Sequence, residues 1–271
     1  MNTYEKKAES GEASLYSEVL NQIADTYNAK FSTLILPKAL SIDADRNIIT
    51  LPRYEGKTFN ELWNESNGGS PLGLELSTKI PLMLYELSLI DATVVTQNSR
   101  LRKIPNLIFN HAEYLDGLGS KFKKFLDGSL LDKNDVAKAG EILQKPYASS
   151  PIFNNGDFYP RNFIYTPEHK IVLVDWEPWN VHSPFYIIDY PENVAAVCFV
   201  HMWNNRPWQE KYAITLKKYF PMGNDDFQKG ILIKSLELAD FWFGNDGRND
   251  LCKNQLSLFR TALAGNIREV L

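Results

Sequence analysis

Cysteine is scarce in this sequence. The chain of 271 residues contains 2 cysteines, Cys198 inside the apolar run 195–200 and Cys252 in a polar stretch. Two cysteines in such surroundings form neither a disulfide framework nor a cysteine-based metal cluster. The sequence therefore argues against a disulfide-stapled secreted protein and predicts a location in the reducing cytoplasm.

Long apolar runs and a surplus of positive charge are also missing. No segment approaches the ~18 apolar residues of a membrane-spanning helix, and residues 1–10 carry charge without the apolar core of a signal peptide. Lysine and arginine number 29 against 33 aspartates and glutamates, which gives a formal net charge of −4. No basic surplus points to a phosphate backbone. We expect neither a membrane nor nucleic acid as a partner, and the oligomeric state is left open.

The composition is otherwise that of a folded globular protein. Hydrophobic residues make up 44% of the chain, aromatic residues 13% and charged residues 23%, far from the composition of disordered chains. The length allows one large domain or two lobes that share a cleft. No internal repeat or low-complexity tract indicates an array.

The spacing of apolar residues predicts a small N-terminal part that contains β-strands, followed by a larger helical part. A helix is expected over 12–27, and strands around a polar turn at 43–47 follow it. A second hairpin joins strands at 162–165 and 170–175. Helical spacing predicts further helices over 58–65, 74–92, 107–127, 132–145, 187–220 and 226–268.

Three polar residues around the second hairpin carry the strongest chemical signal. Asp157 lies on a loop, Asn162 follows five residues later, and Asp175 ends the apolar strand of the hairpin. An Asp-x-x-x-x-Asn segment by itself is most often a turn, in which both side chains bond local backbone. With a second carboxylate at hairpin distance, the three residues can instead supply a base for a hydroxyl group and oxygen ligands for Mg²⁺. This set favours phosphoryl transfer.

The same segment resembles the catalytic and metal-binding loops of the aminoglycoside phosphotransferase and choline kinase family, the small-molecule branch of the protein-kinase-like fold. That family has His-Gly-Asp-x-x-x-x-Asn followed by Ile-Asp-Trp-Glu or a similar sequence. Here the segment 155–162 reads Asn-Gly-Asp-Phe-Tyr-Pro-Arg-Asn, and 175–177 reads Asp-Trp-Glu. The departure is Asn155, which stands in the place of the family histidine.

The resemblance implies a role for each matching residue. Asp157 would be the catalytic base, and Asn162 and Asp175 would be the Mg²⁺ ligands. Asp189 resembles a later family aspartate that braces the catalytic loop without reacting. Outside this region, residues 37–43 and 49–62 are similar to the family's strand pair and hinge, which implies nucleotide contacts for Leu51 and Arg53.

The N-terminus departs further from the family pattern. A kinase-like small lobe begins with a Gly-rich loop over the phosphates, then a strand lysine and a helix glutamate that pairs with it. No Gly-rich loop is encoded here. Lys6 or Lys7 would be the strand lysine, with period-2 alternation favouring Lys6, and Glu18 would be its helix partner. The alternative is that the two lysines form a solvated, frayed end.

Other side chains give weaker signals. The 4 histidines lack metal-ligand spacing and no serine lies in a nucleophile elbow, so zinc chemistry and acyl transfer have no support. The aromatic residues of the second half are explained first by core packing. The alternative is an aromatic wall beside Asp240, Asp246 and Asp250, which would suit a cationic substrate.

These observations predict an α+β, protein-kinase-like two-lobed fold. A reduced antiparallel N-terminal lobe is expected over 1–54 on the nucleotide side, and a mainly helical catalytic and acceptor-binding lobe over 55–271. The predicted activity is transfer of a phosphoryl group from ATP or GTP, with Mg²⁺, to a hydroxyl of a small molecule. The alternative is a catalytically weak nucleotide-binding or scaffolding protein, since the Gly-rich loop is missing.

Overall fold

The chain divides into two units, each with its own buried core. The first unit comprises residues 1–108 and 151–189, and the second comprises 109–150 and 190–271. A computed structural model describes residues 2–8, 12–65, 71–98, 101, 107–176, 186–202, 205–220, 223–243 and 249–265. These units are not the lobes of the sequence analysis, whose boundary between residues 54 and 55 stays a prediction.

A three-stranded antiparallel sheet opens the first unit. Its strands are β1 (Thr3–Lys7), β3 (Ser41–Asp43) and β4 (Ile48–Pro52), in the order β1-β4-β3. Strand β2 (Leu34–Ile35) precedes β3 and belongs to another sheet. Alternation along β4 buries Ile49 and Leu51. This sheet and its hairpin confirm the small antiparallel sheet expected ahead of the helices.

One helical stretch follows β1. It consists of α1 (Glu12–Leu15), a π-helical turn (Tyr16–Leu20) and α2 (Asn21–Tyr27). The apolar positions that predicted this helix are all buried, namely Leu15, Val19, Leu20 and Ile23. The helix expected over 12–27 is thereby confirmed.

The second sheet of the first unit contains the hairpin that follows the Asp-x-x-x-x-Asn segment. Its order is β2-β8-β7-β5, with β5 (Lys57–Thr58), β7 (Phe163–Tyr165) and β8 (Ile171–Leu173). Strands β7 and β8 pair antiparallel, as the hairpin prediction required. Two further strands, β6 (Ile152–Phe153) and β9 (Ile188–Asp189), pair antiparallel and flank the polar segment. Among the described residues of this unit, the remaining α-helices are α3 (Phe59–Glu65), α4 (Pro71–Ser88) and α5 (Thr93–Thr96), and a 3₁₀ turn spans Pro160–Asn162.

The second unit is helical where the structure describes it. Its helices are α6 (His111–Asp127), α7 (Lys133–Leu143), α8 (Pro191–His201), α9 (Arg206–Tyr219), α10 (Asn224–Trp242) and α11 (Asn249–Leu263). Helix α8 is buried on all sides from residue 191 to residue 200, and α10 packs against it and against α11. Within the described ranges, no helix is long and apolar enough to cross a membrane.

The contact between α8 and α10 depends on Gly230. A Cβ atom at this position would lie 2.4 Å from the carbonyl oxygen of Glu192, a backbone atom that cannot turn away. We expect Gly230→Ala to destabilise the protein by about 1–3 kcal/mol, since the helices must separate to relieve the overlap. Equilibrium unfolding in urea measures this change.

Gly140 in α7 is the matched control, because a Cβ there meets no atom within 4 Å. Gly140→Ala should stabilise the protein by about 0.5–1 kcal/mol through helix propensity alone. A Gly230→Ala variant as stable as Gly140→Ala would contradict the close packing of α8 on α10.

Candidate active site

Strand β1 carries the lysine of the site. The Nζ atom of Lys6 lies 2.8 Å from Oδ1 of Asp175 and 2.9 Å from Oε1 of Glu12. The Glu12 side chain is 0% exposed, so Lys6 neutralises a buried carboxylate. A buried carboxylate that lost this partner would carry a large desolvation cost, so the Lys6–Glu12 pair fixes where the ammonium group lies.

The structure pairs Lys6 with Glu12 and not with Glu18, the helix glutamate expected from the sequence. The Glu18 carboxylate accepts a hydrogen bond from Nδ2 of Asn98 at 2.8 Å. Glu12 opens the helical stretch after β1, whereas Glu18 lies six positions further on, about 9 Å along a helix axis. Lys7, the other lysine considered, is exposed on the opposite side of the strand from Lys6.

The loop that bears Asp157 is held by two asparagines that precede it. Asn154 donates from Nδ2 to the carbonyls of Tyr186 at 2.8 Å and Ile187 at 3.1 Å, and its Oδ1 accepts from the N–H of Gly156. Gly156 has φ +80°, a left-handed conformation that glycine adopts at little cost. The loop is therefore tied to the chain just before β9.

Asn155, in the place of the family histidine, braces the same loop. Its Nδ2 donates to the carbonyl oxygens of Asp157 and Val174, both at 3.0 Å. The Asn155 side chain is buried, and these two bonds join the loop to the end of β8. An amide side chain thus braces the loop at this position.

Asp157 is a carboxylate with two donors on one oxygen. Its Oδ2 accepts from a terminal nitrogen of Arg161 at 3.1 Å and from Nδ2 of Asn162 at 2.9 Å. The side chain is 20% exposed. Burial raises the pKa of Asp157, and the Arg161 charge and the hydrogen bonds from Arg161 and Asn162 act against that rise. A carboxylate whose pKa is raised is a better proton acceptor.

Asn162 and Asp175 present oxygen atoms beside Asp157. Both hydrogen bonds from Nδ2 of Asn162 go to Asp157, at 2.9 Å to its carbonyl and 2.9 Å to Oδ2, which turns Oδ1 of Asn162 the other way. The N–H of Val174 donates to the Asn162 carbonyl at 3.0 Å, so the end of β8 lies against the loop. Asp175 follows directly, with a left-handed φ of +61° and a side chain 34% exposed.

Trp176 anchors the chain immediately after Asp175. Its ring is fully buried and stacks on Phe153, with centroids 4.9 Å apart. The indole Nε1 donates to the Leu173 carbonyl at 2.6 Å. This anchor fixes the backbone on the C-terminal side of Asp175. Glu177, the last residue of the resemblance, lies outside the described residues.

Most of the predicted site residues line or adjoin one pocket of about 550 Å³. Five of them line it, namely Lys6, Leu51, Arg53, Asn162 and Asp175. Asp157 is joined to this pocket through its hydrogen bonds with Asn162. The pocket lies wholly within the first unit.

Three tyrosines that sequence reasoning did not assign to the site also line the pocket. They are Tyr4, Tyr16 and Tyr54. Burial raises the pKa of Tyr16 and of Tyr54, so both hydroxyls stay protonated at neutral pH. Tyr4 lies two residues before Lys6 on β1 and shares its side of the strand, a signal that period-2 alternation could have supplied. We call these three rings the tyrosine wall of the pocket.

The oxygen donors of the pocket suit Mg²⁺. This ion prefers hard oxygen ligands and is bound in proteins by one or two carboxylates together with substrate phosphates and water. The carboxylate of Asp175 and Oδ1 of Asn162 are such donors, and they line one pocket. Among the described residues, no group of three or more His, Cys, Asp or Glu side chains could hold a metal by itself. A metal at this pocket would need the phosphates of a nucleotide as further ligands.

Two other residues with predicted roles, Asp189 and Asp240, take part in strand packing and ion pairing. Asp189 is buried in β9, where it lies opposite Ile152 in the register. Asp240, proposed for a cationic substrate, accepts a hydrogen bond from Nζ of Lys124 at 2.6 Å and forms an ion pair with it. Asp246, of the same proposal, lies outside the described residues.

Known structures share this fold. The chain has the kinase-like fold of aminoglycoside phosphotransferases and choline kinases, which confirms the predicted fold class. No protein-family model matches the sequence, and no curated protein matches it in a sequence search.

The structural neighbours resemble the chain over nearly its whole length. The GDP complex of wild-type aminoglycoside 2′-phosphotransferase-IIIa is 13% identical, with 95% of this chain and 84% of that chain covered and a TM-score of 0.54. A choline kinase from Streptococcus pneumoniae is 14% identical, with 97% and 86% covered and a TM-score of 0.52. The ternary complex of APH(2″)-IIa with streptomycin and ATP is 14% identical, with 95% and 84% covered and a TM-score of 0.54.

Proposed function

We propose that this chain is a phosphotransferase that uses Mg²⁺ and ATP or GTP to phosphorylate a hydroxyl group of a small molecule. The observation that carries the proposal is the arrangement of Lys6, Asn162 and Asp175 around one pocket, with Asp157 hydrogen-bonded to Asn162. Structures with the same fold include complexes with GDP and with ATP. A cytoplasmic location remains part of the prediction.

The acceptor hydroxyl is activated by Asp157 in this proposal. Its carboxylate accepts the proton as the hydroxyl oxygen forms a bond to the γ-phosphorus, while the bond from that phosphorus to the bridging oxygen breaks and the nucleoside diphosphate leaves. Asn162 holds Asp157 in place through Nδ2 and keeps Oδ1 for the metal. Bound Mg²⁺ supplies positive charge that neutralises the phosphates.

Lys6 and the pocket walls hold the nucleotide. The Lys6 ammonium, kept at the pocket by buried Glu12, is placed to bind phosphate oxygens. Leu51, Arg53 and the three tyrosines supply contacts for the base and ribose. The aromatic faces of the tyrosines are suited to stack on the planar nucleotide base.

Two observations favour a second candidate function. No glycine-rich hairpin covers the pocket among the described residues, and Lys6 contacts Asp175 directly. A protein with these features could bind nucleotide and transfer phosphate poorly, as a nucleotide-dependent scaffold.

Thermal denaturation with nucleotide separates the two candidates from a protein that binds no nucleotide. Mg·ATP at ~100 times its Kd should stabilise the fold by about 2.7 kcal/mol and raise Tm by about 5–10 °C. EDTA should remove nearly all of this shift, since no glycine-rich hairpin of the described residues covers the phosphates, which then depend on the metal. Adenosine serves as the control without phosphates.

The outcomes are distinct. A shift with Mg·ATP and turnover on a panel of aminoglycosides, amino alcohols, sugars and hydroxy acids supports the phosphotransferase. A shift without turnover on this panel supports the scaffold. No shift with millimolar Mg·ATP or Mg·GTP contradicts both functions.

A further inference from the structure

Arg161 places a positive charge beside the carboxylate of Asp157. The guanidinium is 62% exposed and contacts Oδ2 of Asp157 through a single terminal nitrogen at 3.1 Å. A guanidinium has five N–H donors in a planar fork. Its remaining donors are therefore available to a second anionic group that approaches Asp157.

The local backbone fixes this arginine. Pro160–Asn162 form a 3₁₀ turn whose last residue is held to Asp157 by both hydrogen bonds of its amide. The guanidinium also lies over the ring of Tyr159, with Cζ 5.1 Å from the centroid. A cation over an aromatic face is held by the electrons of the ring. Arg161 is thus positioned by two contacts, one with the Asp157 carboxylate and one with the Tyr159 ring.

We propose that Arg161 is a specificity-determining residue that selects an acceptor with a carboxylate or phosphate group near its reactive hydroxyl. The inference rests on the proposed function. The hydroxyl must come within about 2.6–3.2 Å of the Asp157 carboxylate to transfer its proton. A substituent one or two carbons away then lies close to the guanidinium, which pairs with planar carboxylates and phosphates in a bidentate manner.

The charge balance argues against the cationic acceptor suggested by the sequence. Arg161 neutralises Asp157, so this carboxylate does not by itself attract an ammonium group. An ammonium next to the hydroxyl would face the guanidinium at short range and be repelled. Asp240, a residue on which the cationic hypothesis depended, is paired with Lys124.

Turnover on acceptors that differ in charge tests this selection. The panel is glycerate, glycerol 3-phosphate, glycerol and choline, with initial rates measured at saturating Mg·ATP. We expect kcat/KM for glycerate or glycerol 3-phosphate to exceed that for glycerol and choline by about 10-fold or more, the range of a charge-assisted hydrogen bond. Arg161→Gln should remove this preference, and Arg161→Lys should retain part of it. The comparison of glycerate with glycerol 3-phosphate distinguishes carboxylate from phosphate recognition.

Chemical labelling gives a readout that needs no turnover. Phenylglyoxal modifies exposed arginines, and peptide mass spectrometry follows Arg161 and Arg206 in the same sample. Arg206 is a matched reference, since it is 64% exposed and forms an i,i+4 ion pair with Glu210. An anionic probe at about ten times its Kd should slow labelling of Arg161 about tenfold. Labelling of Arg206 should not change, and glycerol and choline should protect neither residue.

The proposal fails if no anionic probe protects Arg161, if choline protects it equally, or if Arg161→Gln keeps the charge preference. Failure of the proposed function has a different signature, because Mg·ATP would then give the unmodified protein either no thermal shift or a shift without turnover on any acceptor. Selective protection of Arg161 by glycerate or glycerol 3-phosphate supports the proposal even where that probe is bound without being phosphorylated.

Discussion

Asp157→Asn is expected to lower kcat by about 10²–10⁴-fold, the usual contribution of a general base. An amide cannot accept the hydroxyl proton, yet it is nearly the same size as the carboxylate. Binding of Mg·ATP should therefore change by less than about threefold, because Asp157 touches the acceptor and not the nucleotide in this proposal. Steady-state kinetics on any accepted hydroxyl compound, combined with calorimetric nucleotide titration, measures both quantities.

Two further variants serve as the control and the comparison for Asp157→Asn. Asp116→Asn changes an exposed aspartate of α6 and should leave kcat unaltered. Asp175→Asn should weaken Mg²⁺-dependent nucleotide binding itself, since it removes a carboxylate that lines the pocket. If Asp157→Asn and Asp175→Asn gave the same kinetic and binding defects, the separate roles of base and metal ligand would be wrong.

Lys6→Ala is expected to raise the Kd of Mg·ATP by about 10–100-fold, the effect of losing a hydrogen bond to a charged group. Adenosine binding should hardly change, because the lost contact is to phosphate. The substitution also leaves the Glu12 carboxylate buried without its ammonium partner, which destabilises the fold by up to about 3–5 kcal/mol. A double variant, Lys6→Ala with Glu12→Gln, should recover much of the stability without recovering ATP affinity.

Neighbouring residues of the same type provide the controls. Lys7→Ala removes an exposed lysine one position along β1, and Glu18→Ala removes a glutamate that bonds Asn98. Both variants should bind Mg·ATP like the parent protein. An equal loss of ATP affinity in Lys6→Ala and Lys7→Ala would contradict the assignment of Lys6 as the phosphate ligand.

Much of the site could be predicted from the sequence because its parts are close together in the chain. Asp157 and Asn162 lie on one loop, and the β7–β8 hairpin returns Asp175 to that loop through the bond from Val174 to Asn162. A hairpin is a local structure, so the return of the chain follows from residue spacing alone. The lysine face of β1 likewise follows from period-2 alternation.

The rest of the site depends on how separate elements pack. Which glutamate reaches Lys6 is decided by the position of the helical stretch against β1, and the spacing of apolar residues does not give that position. The pairing of Arg161 with Asp157 is an i,i+4 contact within a turn, which the hairpin pattern does not reveal. The tyrosine wall brings together β1, the first helical stretch and the segment after β4.

The left-handed backbone at Asp175 decides which substitutions can probe its charge. Aspartate and asparagine adopt φ of +61° more readily than most residues, whereas alanine at such a position carries about 1–2 kcal/mol of steric strain. Asp175→Ala would therefore mix a loss of metal binding with a shift of the Asp175–Trp176 backbone. Asp175→Asn removes the charge at a conformation that the new side chain accepts, and Asp175→Gly relaxes the backbone while it removes the ligand. Together, these two variants separate the electrostatic contribution of the carboxylate from the conformational contribution of the residue.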